Sequence, residues 1–143
     1  MGTLLSVYFD ASALVPLFVL DPFSVRANQV FRGRAVLPVV SDFAAVEFAS
    51  SLGRRVRMRQ LTEDQARSAF ANFDSWTAIT ERIETLPVDI RDAESILRRL
   101  NSTLRTPDAL NIAIARRVGA QLATFDARMA EKARALGVTL VPV

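Results

Sequence analysis

The sequence predicts an α/β fold, with a parallel sheet of about five strands flanked by helices on both faces. Short apolar runs of β type alternate with amphipathic helical stretches along the chain, and this order is typical of parallel sheets. The length of 143 residues suits one compact domain, and the hydrophobic fraction of 50% is enough for a sizeable core. We therefore expect a single domain over residues 1–143.

The strands are predicted from short runs rich in β-branched, aromatic and other apolar residues. They cover residues 4–9, 35–40, roughly 83–88, 121–125 and 138–143. The helices are predicted from apolar residues at helical spacing. They cover about 25–31, 42–55, 63–80, 91–100, 107–118 and 127–136. Thr62 and Gln65 have the spacing of a capping box, and Gly119 and Gly137 stand where helices should end.

The chain has no His and no Cys, which excludes several kinds of active site. A Ser-His-Asp triad, a Cys nucleophile, a disulfide and a zinc site of the usual nitrogen and sulfur ligands are all ruled out. The 15 Asp and Glu side chains remain, and carboxylates are natural ligands of Mg²⁺ and Mn²⁺. Catalysis by this chain would therefore depend on carboxylates.

Arginine supplies almost all of the positive charge. Lys132 is the only lysine among 18 basic residues, and arginine is the side chain best shaped for bidentate phosphate contacts. A GC-rich genome would explain the same bias. The net charge of +3 is modest, so the case for a nucleic-acid partner rests on clustering. No stretch is apolar and long enough for a membrane span, and we expect a soluble cytoplasmic protein.

Four acidic residues stand where a parallel α/β sheet places its ligands, at or near the carboxyl ends of strands. Asp10 follows the first strand in YFDASAL, and Asp126 follows the fourth in ATFDARM. Asp108 opens a helix in RTPDALNIAIA. Glu47 lies in the apolar helix SDFAAVEFAS after the second strand. Together they would concentrate negative charge, which is stable only with a cation or with raised carboxyl pKa values.

Each acid also has a structural explanation. Asp10 and Asp126 could be ordinary helix N-caps, and Asp108 could complement a helix macrodipole. Glu47 could be neutralised by a salt bridge to Arg54 or another arginine. Both readings stay open on the sequence alone.

These motifs, in this order, resemble the PIN-domain nucleases, and most closely the small VapC-type toxins of toxin-antitoxin pairs. The resemblance covers essentially the whole chain. It implies that Asp10, Glu47, Asp108 and Asp126 hold Mg²⁺ or Mn²⁺ and cut RNA with a metal-activated water. It also suggests that Ser12 and Thr124 orient the carboxylates of Asp10 and Asp126, and that Asn111 faces the same site. The acid that some members carry after the last Asp is absent here, which leaves one or two metals open.

The resemblance also implies partners: an RNA substrate, a cognate VapB-like antitoxin and a second copy of the chain in a homodimer. The arginine clusters suit RNA, although a solvated helix face would look the same. They are Arg54, Arg55, Arg57 and Arg59, then Arg98, Arg99 and Arg105, then Arg116 and Arg117. The sequence shows no aromatic-rich platform for stacking bases, which predicts recognition by RNA shape and phosphates. Phe70, Phe73, Trp76 and Ile79 form an aromatic stripe that favours core packing, or a groove for the antitoxin.

Other functions fit less well. A receiver domain would need an Asp-x-Asp pair after the first strand, where position 12 is Ser. A catalytically inactive PIN-fold binding module would be favoured by the loss of an acid, and all four are present. A housekeeping PIN nuclease without an antitoxin would have the same motifs. The sequence therefore predicts a metal-dependent endoribonuclease of the toxin type, with these alternatives.

Overall fold

Four parallel strands form the sheet of the computed structural model, which describes residues 4–100 and 103–143. Their order across the sheet is β3-β2-β1-β4. The strands are β1 (Leu5–Phe9), β2 (Val36–Ser41), β3 (Glu81–Ile83) and β4 (Gln121–Ala123). Because all four run in the same direction, their carboxyl ends meet at one edge of the sheet. The predicted α/β class with a parallel sheet is confirmed.

Seven helices cover this sheet in the part of the chain that the structure describes. They are α1 (Ala11–Phe18), α2 (Ser24–Gln29), α3 (Asp42–Arg57), α4 (Glu63–Thr77), α5 (Pro87–Leu97), α6 (Thr106–Val118) and α7 (Ala127–Ala135). Helices α1, α3 and α4 pack against one another, and α6 packs against α5 and α7. None of the helices in residues 4–100 and 103–143 is long and apolar enough to cross a membrane.

The central strand β1 fixes the register of the sheet. Leu5 pairs with Val36 of β2, and Val7 pairs with Gln121 of β4. Tyr8 and Phe9 are fully buried, as expected for a parallel strand with both faces covered. Asp10, immediately after β1, is thereby placed at the edge where β2 and β4 also end.

The structure differs from the prediction at two strands and one helix. The third strand ends at Ile83, because Pro87 opens α5 and the Asp89 carboxylate accepts a hydrogen bond from the Leu86 backbone N–H. The fifth strand is reduced to one parallel bridge between Leu122 and Leu140. Helix α1 was not predicted, because its sequence is apolar almost throughout and Pro16 lies inside it.

The sequence signals for helix ends predicted the structure better than these three elements did. Thr62 and Gln65 form the predicted capping box at the start of α4, with hydrogen bonds in both directions. Gly119 ends α6 with a φ of 67°, a left-handed conformation that glycine adopts without strain. These local signals fix helix ends because they depend on residues only a few positions apart.

The aromatic stripe of α4 is mainly core. Phe73 stacks on Phe48 at 4.5 Å between ring centroids. Trp76 packs edge-on against Phe9 at 5.9 Å and against Phe18 at 5.4 Å. Only Ile79, beyond the end of the helix, is strongly exposed within the predicted stripe. The stripe therefore joins α4 to α1, α3 and β1.

Candidate functional site

Asp10 is buried at the carboxyl end of β1, with its side chain held from three directions. One carboxylate oxygen, Oδ1, accepts hydrogen bonds from Ser12 Oγ at 2.7 Å and from the Ala13 backbone N–H at 3.1 Å. The other, Oδ2, accepts one from Thr124 Oγ1 at 2.8 Å. All three donors are uncharged. Asp10 caps α1 as one reading of the sequence expected, and it also ties β1 to the end of β4.

Burial raises the pKa of Asp10 from 3.8 to about 7. The hydrogen bonds from Ser12, Thr124 and Ala13 lower the pKa but do not offset burial, and the negative charge of Glu47 raises it further. Asp10 therefore titrates near neutrality in the absence of a cation, which is unusual for an aspartate.

The predicted roles of the two hydroxyls are partly correct. Ser12 donates to Asp10, as the resemblance suggested. Thr124, however, donates to Asp10 rather than to the Asp126 carboxylate, and its oxygen accepts a hydrogen bond from the Asp126 backbone N–H at 3.0 Å. The Thr124 hydroxyl thus positions the Asp10 side chain by donating to its carboxylate, and it positions Asp126 by accepting from that residue's backbone N–H.

Asn111 links four elements at the same edge of the sheet. Its Nδ2 donates to Glu47 Oε1 at 2.8 Å and to the Pro107 carbonyl at 3.0 Å. Its Oδ1 accepts from the Tyr8 hydroxyl at 2.5 Å, and that hydroxyl also lies 2.7 Å from Ser41 Oγ. Burial raises the pKa of Tyr8, so its hydroxyl keeps the proton that it donates. The network holds α3 and α6 against β1 and β2.

Sequence reasoning missed Tyr8 and Ser41 as part of this network. Both are fully buried polar residues. The available signal was the single Tyr of the chain placed within an apolar strand, since a buried hydroxyl requires a hydrogen-bond partner. The identity of that partner depends on tertiary contacts that the sequence does not show.

Glu47 is half-buried on α3, with Asn111 as its hydrogen-bond partner. Burial raises its pKa, the Asn111 hydrogen bond lowers it, and the negative charge of Asp108 raises it. The salt bridge to Arg54 that the sequence left open is not formed among the described residues. Glu47 is therefore a second carboxylate that no cationic side chain neutralises.

Asp108 and Asp126 make the hydrogen bonds of helix ends. One oxygen of Asp108 accepts from the Arg105 backbone N–H at 3.1 Å, and one oxygen of Asp126 accepts from the Met129 backbone N–H at 3.1 Å. Within residues 4–100 and 103–143, the second oxygen of each carboxylate has no hydrogen-bond donor. Capping uses one oxygen of each residue and leaves the other able to bind a ligand.

The negative charge of Glu47 raises the pKa of Asp10, and the negative charge of Asp108 raises the pKa of Glu47, so the three side chains lie near one another. Asp126 joins this edge of the sheet through Thr124. Across the described ranges, no three acidic side chains converge closely enough to enclose a metal ion. The donor set is chemically suited to Mg²⁺ or Mn²⁺, because it consists of oxygens with uncompensated negative charge.

A cleft of ≈ 740 Å³ opens beside these residues. Glu47, Asp126 and Ser12 line it, and so do three arginines of α3: Arg54, Arg55 and Arg57. Arg55 forms an ion pair with Asp21, whereas Arg54 and Arg57 form none within the described parts of the chain. The cleft is therefore lined both by carboxylates and by two guanidinium groups that form no ion pair among the described residues.

A family model described as the PIN domain matches residues 7–135 of the chain. Among curated proteins, Ribonuclease VapC46 of Mycobacterium tuberculosis is 32% identical over 141 residues, covering 95% of this chain and 96% of the relative. Ribonuclease VapC3 of Pyrobaculum aerophilum is 29% identical over 128 residues, covering 89% of this chain and 94% of the relative.

Solved structures share the fold at lower sequence identity. Mycobacterium tuberculosis VapC20, described as a sarcin-ricin loop cleaving toxin, has a TM-score of 0.74 at 19% identity, covering 96% of this chain and 99% of that one. VapBC2 of Rickettsia felis, solved with a DNA fragment from its promoter, has a TM-score of 0.69 at 14% identity, covering 95% and 97%. At these identities the likeness establishes the fold alone.

Proposed function

The chain belongs to the PIN-domain family, and from this membership and the site we propose that it is a VapC-type toxin that hydrolyses RNA phosphodiester bonds. The observation that carries the proposal is the uncompensated charge of Asp10 and Glu47 at the carboxyl ends of the strands. The curated relatives are named ribonucleases and align over nearly their whole length, which supports RNA as the substrate.

Asp10, Glu47, Asp108 and Asp126 would hold Mg²⁺ or Mn²⁺. When bound, such an ion would polarise a phosphoryl group. It would also lower the pKa of a water, so that hydroxide is available to attack the phosphorus near neutral pH. The other contributions come from the chain. Ser12 and Thr124 fix the Asp10 carboxylate, and Asn111 fixes Glu47.

Glu47, held by Asn111, would help to bind the ion or would orient the attacking water. Arg54 and Arg57, which line the same cleft, suit the phosphates of the RNA backbone because neither forms an ion pair within the described parts of the chain. In-line attack by water leaves a 5′-phosphate and a 3′-hydroxyl.

We also propose a cognate VapB-like antitoxin as inhibitor and a homodimer as the assembled form. Several structural neighbours are described as toxin-antitoxin complexes, including one from Klebsiella pneumoniae with a TM-score of 0.59. In such a pair the toxin acts in the cytoplasm, where its RNA substrate is present.

RNA cleavage by the purified chain, freed of antitoxin, tests the activity. We expect cleavage with Mg²⁺ or Mn²⁺ and none in EDTA. Asp108→Asn keeps the side-chain size, removes a charge and should lower the rate by roughly 10²- to 10³-fold. The control is Asp74→Asn, an exposed acid on α4, which should leave the rate unchanged. Cleavage that persists in EDTA, or in Asp108→Asn, contradicts the proposal.

A further inference from the structure

Two phenylalanines form an aromatic pair at the rim of the cleft. The rings of Phe23 and Phe125 lie 4.7 Å apart between centroids, with an interplanar angle of 33°. Phe23 precedes α2, whereas Phe125 lies between β4 and α7. The pair was not predicted, because its members are distant in sequence.

Arg26 packs against both rings. Its guanidinium carbon lies 5.7 Å from the Phe23 centroid and 5.1 Å from the Phe125 centroid. Its Nη2 donates to the Val143 carbonyl at 2.8 Å. Phe23 and Phe125 line the cleft, whereas Arg26 does not. The arginine therefore supports the ring pair from outside, and the pair presents its apolar surface to the cleft.

Phe23 is held at the surface by a tight turn. The Phe23 backbone N–H donates to Asp21 Oδ1 at 2.8 Å, and the other Asp21 oxygen pairs with Arg55 at 3.4 Å. Ser24 Oγ accepts from the Asp21 backbone N–H at 2.9 Å. Phe23 remains 41% exposed, and the exposed part of its ring gains no stabilisation from burial. The turn thus keeps an apolar ring in contact with solvent at the cleft.

Phe125 is tied to the acidic residues by the chain itself. It lies between Thr124, which holds Asp10, and Asp126. Its backbone N–H donates to Ser12 Oγ at 2.9 Å, so the hydroxyl that orients Asp10 also positions this residue. A planar group resting on the ring pair would therefore lie in the cleft that Glu47, Asp126, Arg54 and Arg57 also line.

We infer that the Phe23–Phe125 pair is a stacking site for one unpaired nucleobase of the RNA substrate. The inference rests on the proposed function and adds a requirement to it, that the RNA is single-stranded next to the cut. Aromatic rings stack on any base with an accessible face, and bases inside a duplex have none to offer. Arg54 and Arg57, which line the same cleft and form no ion pair among the described residues, supply the charge that retains the phosphates of the same strand.

Binding of RNA by Phe23 variants tests the inference. The host is full-length Asp108→Asn protein with Mg²⁺, so that bound RNA is not cut during the measurement. The ligands are a fluorescent single-stranded RNA and a blunt RNA duplex of similar length. Phe23→Leu keeps the apolar bulk and removes the planar ring, whereas Phe23→Trp keeps a planar ring. Val25→Ala, at an exposed position of α2 outside the cleft lining, is the matched control.

We expect Phe23→Leu to weaken binding of the single strand roughly tenfold and to change binding of the duplex less than twofold. Phe23→Trp should bind the single strand at least as well as the parent, with quenching of the new tryptophan fluorescence. Val25→Ala should match the parent.

The outcomes separate the inference from the proposed function. Equal single-strand affinity of the parent and Phe23→Leu overturns base stacking and leaves the ring pair as a surface for a protein partner. An equal loss for single strand and duplex also overturns it, since that result indicates damage to the fold or to phosphate contacts. If the parent binds neither RNA, the proposed function fails together with the inference.

Discussion

Asp10 and Asp89 are both buried aspartates, exposed by 6% and 1%, but their charges are balanced in different ways. Asp89 accepts two hydrogen bonds from Arg117, from Nε at 2.7 Å and from Nη2 at 3.0 Å. The pairing raises the pKa of Arg117 and joins α5 to α6. Among the described residues, Asp10 accepts only from hydroxyls and a backbone amide, and its pKa rises to about 7.

In the part of the chain that the structure describes, the difference is between a buried carboxylate that an arginine neutralises and one that no cationic side chain neutralises. Burial disfavours an ionised carboxylate unless a cation compensates it. At Asp89 the chain supplies that cation. At Asp10 it supplies hydrogen bonds that fix the geometry, and it places the negative charge of Glu47 close enough to raise the pKa further. We propose that a divalent cation from outside the chain compensates Asp10.

Removing the arginine from the compensated pair should have the largest effect on stability. We expect Arg117→Ala to lower the free energy of unfolding by about 2 to 4 kcal/mol, because it leaves Asp89 buried without a cation. This loss is smaller than the largest losses known for buried ion pairs, because the Arg117 side chain is 29% exposed. Denaturant unfolding measures the change.

Arg98→Ala is the matched control for that prediction. Arg98 pairs with Glu94 on the surface, with side chains 78% and 60% exposed. Its loss should change stability by less than about 0.5 kcal/mol. Equal effects of the two substitutions would show that Asp89 does not depend on its partner.

Replacing either aspartate by the neutral asparagine should change the free energy of unfolding in opposite directions. Near neutral pH in EDTA, Asp10→Asn should raise the free energy of unfolding by about 1 to 3 kcal/mol, because it removes an uncompensated buried charge. Asp89→Asn should lower it by about 2 kcal/mol, because Arg117 loses its charged partner. Urea unfolding of both variants checks the signs. Loss of stability in both would make Asp10 another structural carboxylate.

The pH dependence of stability should identify Asp10 directly. A carboxyl whose pKa is raised in the folded state contributes stability that is fully present below the unfolded pKa and is lost as pH rises through the folded pKa. In EDTA, the parent should therefore lose on the order of 2 kcal/mol as pH rises from 3.8 to about 7. Asp10→Asn should show a smaller loss, with the remaining part due to Glu47, whose pKa is also raised.

Ser12→Ala should have the smallest effect and should sharpen that measurement. The Ser12 hydroxyl lowers the pKa of Asp10, so its removal should move the fall in stability to higher pH. The backbone N–H of Phe125 also loses its acceptor, which costs about 1 kcal/mol at all pH values. Thermal melts across the pH range separate the two effects. If the plot of stability against pH keeps its shape and only moves to lower stability, Ser12 is not coupled to Asp10.

Two of the four acids could be placed from the sequence because their positions follow from chain direction. Parallel strands end at one edge, so an acid directly after a strand, such as Asp10 or Asp126, lies at that edge whatever the details of packing. Glu47 was identifiable because a charge within an apolar helix requires an explanation. The assignment of these four residues as metal ligands stays a prediction.

The features that sequence reasoning missed depend on partners distant along the chain. Nothing local to Asp89 indicates that Arg117 neutralises it, and nothing local to Phe23 indicates that Phe125 lies beside it. Helix α1 was missed for a different reason, since its sequence is apolar almost throughout and contains Pro16, a residue that disfavours a helix interior.

Melting of the parent and Asp10→Asn with and without Mn²⁺ tests the central claim, that Asp10 is left uncompensated for a divalent cation. At a hundredfold excess over the dissociation constant, binding should stabilise the parent by about 2.7 kcal/mol, seen as a higher melting temperature than in EDTA. Asp10→Asn should gain little from the ion, whereas the surface control Asp74→Asn should match the parent. An equal rise in the parent and Asp10→Asn, or no rise in the parent, would contradict the account.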